Sequence, residues 1–154
     1  MRVVLQRVSQ ARVVVNERQV GAIERGLVVF VGVAKGDREE DARHLADKLI
    51  HLRIFPDERG QMNLSLKDVN GSALIVSQFT LYGDCRKGTR PSFSLASSAD
   101  EAKVLYDFFI KEVRNTGLYV ATGVFQAEMQ VSLTNEGPVT LILETNRVDP
   151  ISYS

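Results

Sequence analysis

The stretch GLVVFVGVA, Gly26 to Ala34, is apolar at almost every position. A strand with one face in water alternates apolar and polar residues, so an uninterrupted run must be covered on both faces. The segment therefore predicts the centre of a sheet with structure layered on each side. A chain of 154 residues has enough material for those layers within one domain, burying roughly 70% of its unfolded surface without staples.

The flanking segments supply the layers. Val3 to Val15 is rich in β-branched residues, Asn16 to Arg18 reads as a turn, and QVGAI returns as its hairpin partner. Asp37 followed by Glu40 resembles a capping pair, after which Ala42, Leu45, Ala46, Leu49 and Ile50 recur at helical spacing. Ser98 with Glu101 opens a second helix, whose stripe is Ala102, Leu105, Phe108 and Phe109. Both predict amphipathic helices lying on a sheet. Ser72 to Asp84 reads as another core strand, broken in polarity by Ser77, Gln78 and Thr80. In the last third Met129, Val131 and Leu133 are answered by Val139, Leu141 and Leu143 across NEGPVT, which predicts a long antiparallel hairpin turning at Gly137-Pro138. Residues 1–146 form the expected domain, and Arg147 to Ser154, without periodicity, a flexible tail.

Charge and cysteine content narrow the function. Nineteen basic residues balance nineteen acidic ones, so no global field draws the chain to nucleic acid or anionic lipid, and any such contact is local. The single cysteine, Cys85, excludes an internal disulfide and a multi-cysteine zinc site. With no long apolar segment at the start, a cytoplasmic address is expected.

Side-chain catalysts are scarce. The two histidines, His44 and His51, lie seven residues apart on the first helix, about 10.5 Å along its axis, too far to share one metal ion. Cys85 has cationic neighbours that lower a thiol pKa but no histidine near it in sequence. Arg86 to Phe93 gathers Arg86, Lys87 and Arg90 with a glycine and an aromatic ring. That composition suits a solvated loop and also a phosphodiester contact. Ser77 to Thr80 is polar where a buried strand is normally apolar: it reads as a satisfied core hydroxyl or as a strand end facing a reacting carbonyl. No GxSxG elbow accompanies it. In NEGPVT, proline before a returning strand leaves carbonyls unpaired at the loop tip, beyond what a plain turn needs.

SQFT at Ser77 to Thr80 and NEGPVT at Asn135 to Thr140 together resemble the two signature motifs of the D-aminoacyl-tRNA deacylases. RVVLQRVSQARVVV, GLVVFVGVAKGD, LRIFPDERGQMNLSL, RPSFS and LYDFF are similar to family stretches in family order, so the resemblance covers about Met1 to Glu144. It implies a single α/β (α+β) domain with a largely antiparallel, barrel-like sheet and two flanking helices. It also implies a homodimer with active sites at the subunit interface; no cofactor and no metal are expected, the histidine and cysteine content offering no ligand set. The implied activity is hydrolysis of the ester joining a D-amino acid to the 3′-terminal adenosine of tRNA. Gly137 and Pro138, joined in the family by a cis peptide, would reach from one subunit into the other's pocket.

The residues then take expected roles. The backbone N–H groups of Gln78 and Phe79 are candidate oxyanion donors, and Thr80 is a candidate nucleophile with no adjacent base. Carbonyls of Gly137 and Pro138 would hold the substrate amine while filling the space an L side chain needs, a filter that achiral glycine escapes. Ser77 and Thr140 are expected polar groups of the pocket. Phe125 and Met129 are expected near the terminal adenine or the substrate, and Arg86, Lys87 and Arg90 on tRNA phosphates. A non-catalytic module that holds tRNA ends is the competing expectation.

Overall fold

The computed structural model describes residues 1–145; the expected tail lies outside the described residues. The long strand β1 (Arg2–Val15) organises the sheet. Its first half pairs antiparallel with β3 (Gly26–Gly32) and its second half with β2 (Arg18–Ile23). Asn16 and Glu17, both at positive φ, make the β1–β2 turn. From β3 the sheet continues in parallel to β6 (Ser72–Ser77) and β7 (Val120–Thr122). A parallel neighbour needs a crossover, and helices α1 (Glu39–His51) and α2 (Ala99–Arg114) lie within the two crossovers. A short pair, β4 (Phe55–Pro56) and β5 (Met62–Leu64), stands apart from the main sheet. A Cβ at Gly21 of β2 would lie 2.6 Å from the Thr122 carbonyl of β7. The sheet therefore curls until its outer strands nearly meet, giving the barrel-like form.

The central strand is covered on both faces, as its apolar run requires. Leu27, Val29 and Val31 share one core with Leu45, Leu49 and Phe109 of the helices. Val28 faces the barrel interior with Val8, Val13, Leu74 and Val76. The alternation is the two-residue period of a strand, with both faces dry.

Three local expectations are corrected. Asp37 does not cap α1: its carboxylate accepts from the Ala34 N–H (2.7 Å) and the Met1 nitrogen (2.7 Å). The helix starts one residue later, with Asp41 accepting from the Arg38 N–H at 2.8 Å. The strand from Ser72 ends at Ser77, because its partner β3 stops at Gly32; the chain tightens into a 3-10 helix over Phe79–Tyr82.

The third correction bears on function. Gln130–Glu144 is one continuous strand, β8, and not a hairpin. Both arms pair with β1: Asn135 stands opposite Val8 and Thr140 opposite Gln6. Residues 136–139 therefore face Arg7 alone and bulge out of the ladder. The apolar alternation on either side is satisfied by the shared strand β1, not by the other arm.

Candidate active site

Where β6 ends, the chain borders a cavity of about 550 Å³. Val31, Val33 and Val76 contribute apolar walls, Ser77 to Phe79 the strand end, Ala99 and Ala102 the start of α2, and Phe125, Gln126, Ala127 and Met129 the loop after β7. Five residues singled out in the sequence meet here: Ser77, Gln78, Phe79, Phe125 and Met129. Gly123 makes room for Met129, whose sulfur would lie 2.5 Å from a Cβ at that position. Ser98 holds the adjoining helix start by accepting from the Glu101 N–H at 3.4 Å, while the Glu101 carboxylate accepts from Ser97. Only half of the expected capping box forms.

The donors at the strand end are not equivalent. The Gln78 N–H continues the sheet ladder and donates to the Val31 carbonyl at 2.8 Å. Phe79 opens the 3-10 helix, so its N–H has no intrahelical carbonyl to meet. Thr80 lies outside the cavity lining, exposed, with its hydroxyl accepting from the Gln78 side-chain amide. Among the described residues, none that lines the cavity is ionisable at neutral pH.

Two aromatic rings, Phe79 and Phe125, line the cavity. Phe79, 56% exposed, meets Phe93 edge-on with centroids 5.1 Å apart. This ties the Arg86 to Phe93 loop to the strand end. Within the loop Arg86 donates twice from its guanidinium to Asp84, whose carboxyl is held down to about 2 first of all by that side-chain hydrogen bond. Lys87 and Arg90 are exposed. On the other side Phe125 packs at 5.7 Å from Tyr106, whose buried hydroxyl donates to the Ile75 carbonyl of β6 at 2.8 Å. Burial pushes the Tyr106 phenol well above its usual range, so it remains a neutral donor anchoring the strand.

The β8 bulge is a second, separate feature. Gly137-Pro138 is a cis peptide, both residues are exposed, and neither lines the cavity of its own chain. The bulge is braced from three directions. Asn135 accepts from the Val139 N–H at 2.7 Å and donates to the Thr140 hydroxyl at 3.0 Å. Gln6 donates to that same hydroxyl at 3.0 Å, so Thr140 serves here as a brace. Arg7 donates to the Glu136 carbonyl (3.0 Å) and to the Ile54 carbonyl (2.7 Å), tying the bulge to the segment after α1. The carbonyls of Gly137 and Pro138 have no hydrogen-bond partner among the described residues.

This two-part arrangement, a strand-end cavity and a braced Gly-Pro bulge, can be set beside known proteins. The profile of the family described as D-Tyr-tRNA(Tyr) deacylase matches residues 4–144. The chain belongs to that family of hydrolases. A D-aminoacyl-tRNA deacylase of Thermotoga petrophila is 59% identical over 148 residues, 96% of this chain and 99% of the relative. One of Geobacter metallireducens is 59% identical over 145 residues, 94% of this chain and 96% of the relative. Among solved structures, the c-Myc DNA Unwinding Element Binding Protein superposes with a TM-score of 0.89 at 39% identity, over 94% of this chain and 99% of that one.

For a member of the deacylase family, the residues that sequence reasoning missed are those that position others. Asn135 sits inside the quoted motif, and its Asx-type geometry is a signal that could have found it. Arg7, 129 positions from the carbonyl it holds, and Gln6, 134 from Thr140, have no local signature. His44 and His51 are exposed on α1, and the described residues contain no cluster of three metal-ligating side chains. Cys85 is exposed and borders no cavity described above. No helix of the described residues is long and apolar enough to cross a membrane.

Proposed function

We propose that this chain hydrolyses the ester of D-aminoacyl-tRNA, releasing amino acid and tRNA, while rejecting the L-aminoacyl ester. The observation that carries the proposal is the pair of carbonyls at Gly137 and Pro138, without a hydrogen-bond partner among the described residues, on a bulge braced at Glu136 and Val139 on either side of them. An α-amino ester has its amine, carboxyl carbon and side chain on one stereocentre. Carbonyls that accept from the amine and occupy the space beside it leave a D side chain free and obstruct an L one. Glycine has no side chain to obstruct, so glycyl-tRNA is a secondary substrate of the same filter.

The bulge and the cavity come from different copies in this proposal. The outer edge of β8 pairs with no strand among the described residues and carries exposed Leu141 and Ile142. A long free edge with apolar neighbours favours association. A homodimer across this edge would deliver Gly137 and Pro138 of one subunit to the cavity of the other.

At the strand end, water adds to the ester carbonyl carbon and the bond to the ribose 3′ oxygen breaks, the proton passing to that oxygen. The Phe79 N–H is the donor placed to hold the oxyanion, since that of Gln78 is committed to Val31. With no ionisable side chain lining the cavity among the described residues, the 2′-hydroxyl of the terminal adenosine activates the water. Ser77 orients the substrate, and Phe125 and Met129 pack against it.

The test is release of free amino acid from D-tyrosyl- and L-tyrosyl-tRNA, side by side, in the presence of a chelator. Release from the D ester alone is expected. Tight tRNA binding with release from neither would make the protein a module that holds acceptor ends, a reading that the same lack of a side-chain base favours.

A further inference from the structure

Phe125 lines two cavities. Beyond it, away from the strand end, lies a groove of about 440 Å³ along α2, lined by Lys103, Lys111 and Arg114 together with Asp107 and Asn115. All three cations are exposed, on one face of the helix. Lys103 lies 5.7 Å from the centre of the Phe125 ring, so the cationic row begins at the wall of the strand-end cavity. Lys103 also pairs with Asp107 at 2.7 Å, and Arg114 makes a long 3.5 Å contact to the Val120 carbonyl. No ion pair engages Lys111 among the described residues. Positive charge therefore exceeds negative charge along the groove.

We propose that this α2 groove binds the phosphodiesters of the single-stranded 3′ end of tRNA, leading the strand past Phe125 to the cavity where the aminoacyl-adenosine is held. The proposal rests on that assignment of the cavity. Lys103 to Arg114 spans about 16 Å at 1.5 Å per residue, enough to follow three to five nucleotides of one strand at 3.4 Å or more each. Cations of this spacing beside an aromatic ring combine a backbone track with a stacking surface, the pairing that single strands require. By contrast, the Arg86 to Phe93 loop has its first guanidinium doubly engaged by Asp84.

The experiment compares the parent protein with the triple variant Lys103→Gln, Lys111→Gln, Arg114→Gln. Binding of uncharged tRNA is measured across a salt series, and hydrolysis is measured on full-length D-tyrosyl-tRNA and on the phosphate-free ester 3′-O-(D-tyrosyl)adenosine. Each lost phosphate contact lowers the salt slope by about 0.7, so the slope falls by about 2, and affinity at 0.1 M salt falls ten- to a hundredfold. Turnover of the phosphate-free ester stays at the parent value. Unchanged tRNA binding and slope in the triple variant overturn the proposal, as does an equal loss on both esters, which would place the residues in the pocket or the fold. A parent that binds no tRNA overturns it too. A parent that binds tRNA but cleaves neither ester refutes the deacylase reading instead, and the binding series then decides the groove by itself. The double variant Lys87→Gln, Arg90→Gln is run beside it: if that pair alone abolishes the slope, the strand leaves over the loop and the α2 assignment is wrong.

Discussion

Replacing Arg7 by alanine isolates what the bulge brace contributes. Arg7 is the one β1 residue opposite residues 136–139, and it holds the Glu136 and Ile54 carbonyls at 3.0 and 2.7 Å. Hydrogen bonds from a charged donor contribute roughly 1.5 to 3 kcal/mol each. The contact to Glu136 is exposed, so screening reduces the pair to about 2 kcal/mol in total. For a domain of this size that lowers Tm by roughly 4 to 8 °C, which leaves the protein folded at 25 °C. The effect on selectivity is larger, because a 1 Å misplacement of positioning groups costs on the order of a hundredfold in rate. Deacylation of D-tyrosyl-tRNA is expected to fall ten- to a hundredfold. The ratio of D to L hydrolysis falls with it, as a bulge no longer tied at Glu136 lets the Gly137 and Pro138 carbonyls leave the one space they guard. Arg7→Lys keeps the charge but cannot bridge two carbonyls with a planar fork, so it is expected to resemble Arg7→Ala. The assay is single-turnover release of labelled tyrosine from both diastereomers, beside thermal unfolding. A D/L ratio equal to the parent's in the folded Arg7→Ala protein would refute the assignment of the bulge as the chiral filter.

Gly137→Ala places a Cβ 2.9 Å from a Val139 methyl and 3.1 Å from Arg7 Nη2, at a φ of 137° that L residues rarely adopt. About 1 to 3 kcal/mol of strain is expected to appear as lost D-specific turnover with the helical circular dichroism intact. Thr80→Ala should retain turnover within a fewfold of the parent, whereas a tRNA ending in 2′-deoxyadenosine should react poorly; the opposite pattern would establish the threonine as nucleophile. Ser98→Ala removes the hydroxyl that accepts from the Glu101 N–H and is expected to cost about 0.5 to 2 kcal/mol, read as a lower denaturation midpoint. The side-chain hydrogen bond from Arg86 holds the Asp84 carboxyl down to about 2, below the ordinary value of 3.8. Its contribution to the loop is therefore present above pH 3.8 and lost as pH falls through about 2. An NMR titration showing an ordinary carboxylate value would mean that the Arg86 clip is open in solution.

How much of this was legible without coordinates differs from element to element. The double burial of Gly26 to Gly32 follows from its unbroken apolar run, and the helices from their stripes, because both patterns are local periodicities. Cap positions slipped where a tertiary partner competed: Asp37 was drawn away from the helix by the Met1 nitrogen and the Ala34 N–H. The polar break at Ser77 correctly marked a change of structure, yet which N–H remained available depended on where β3 ran out.

The sequence by itself determined the central strand, the first hairpin, the two helices, the family motifs and the scarcity of side-chain catalysts, since residue type and spacing carry all of these. Only the tertiary structure decided that both arms of the NEGPVT segment pair with β1, that Arg7 and Gln6 brace it, and that its carbonyls stand apart from the cavity of their own chain. The physical reason is that alternation specifies which face of a strand is buried but not which strand lies beside it. Two apolar arms flanking a Gly-Pro pair are satisfied equally well by each other or by a shared third strand, and that choice is settled by contacts more than a hundred residues away in the chain.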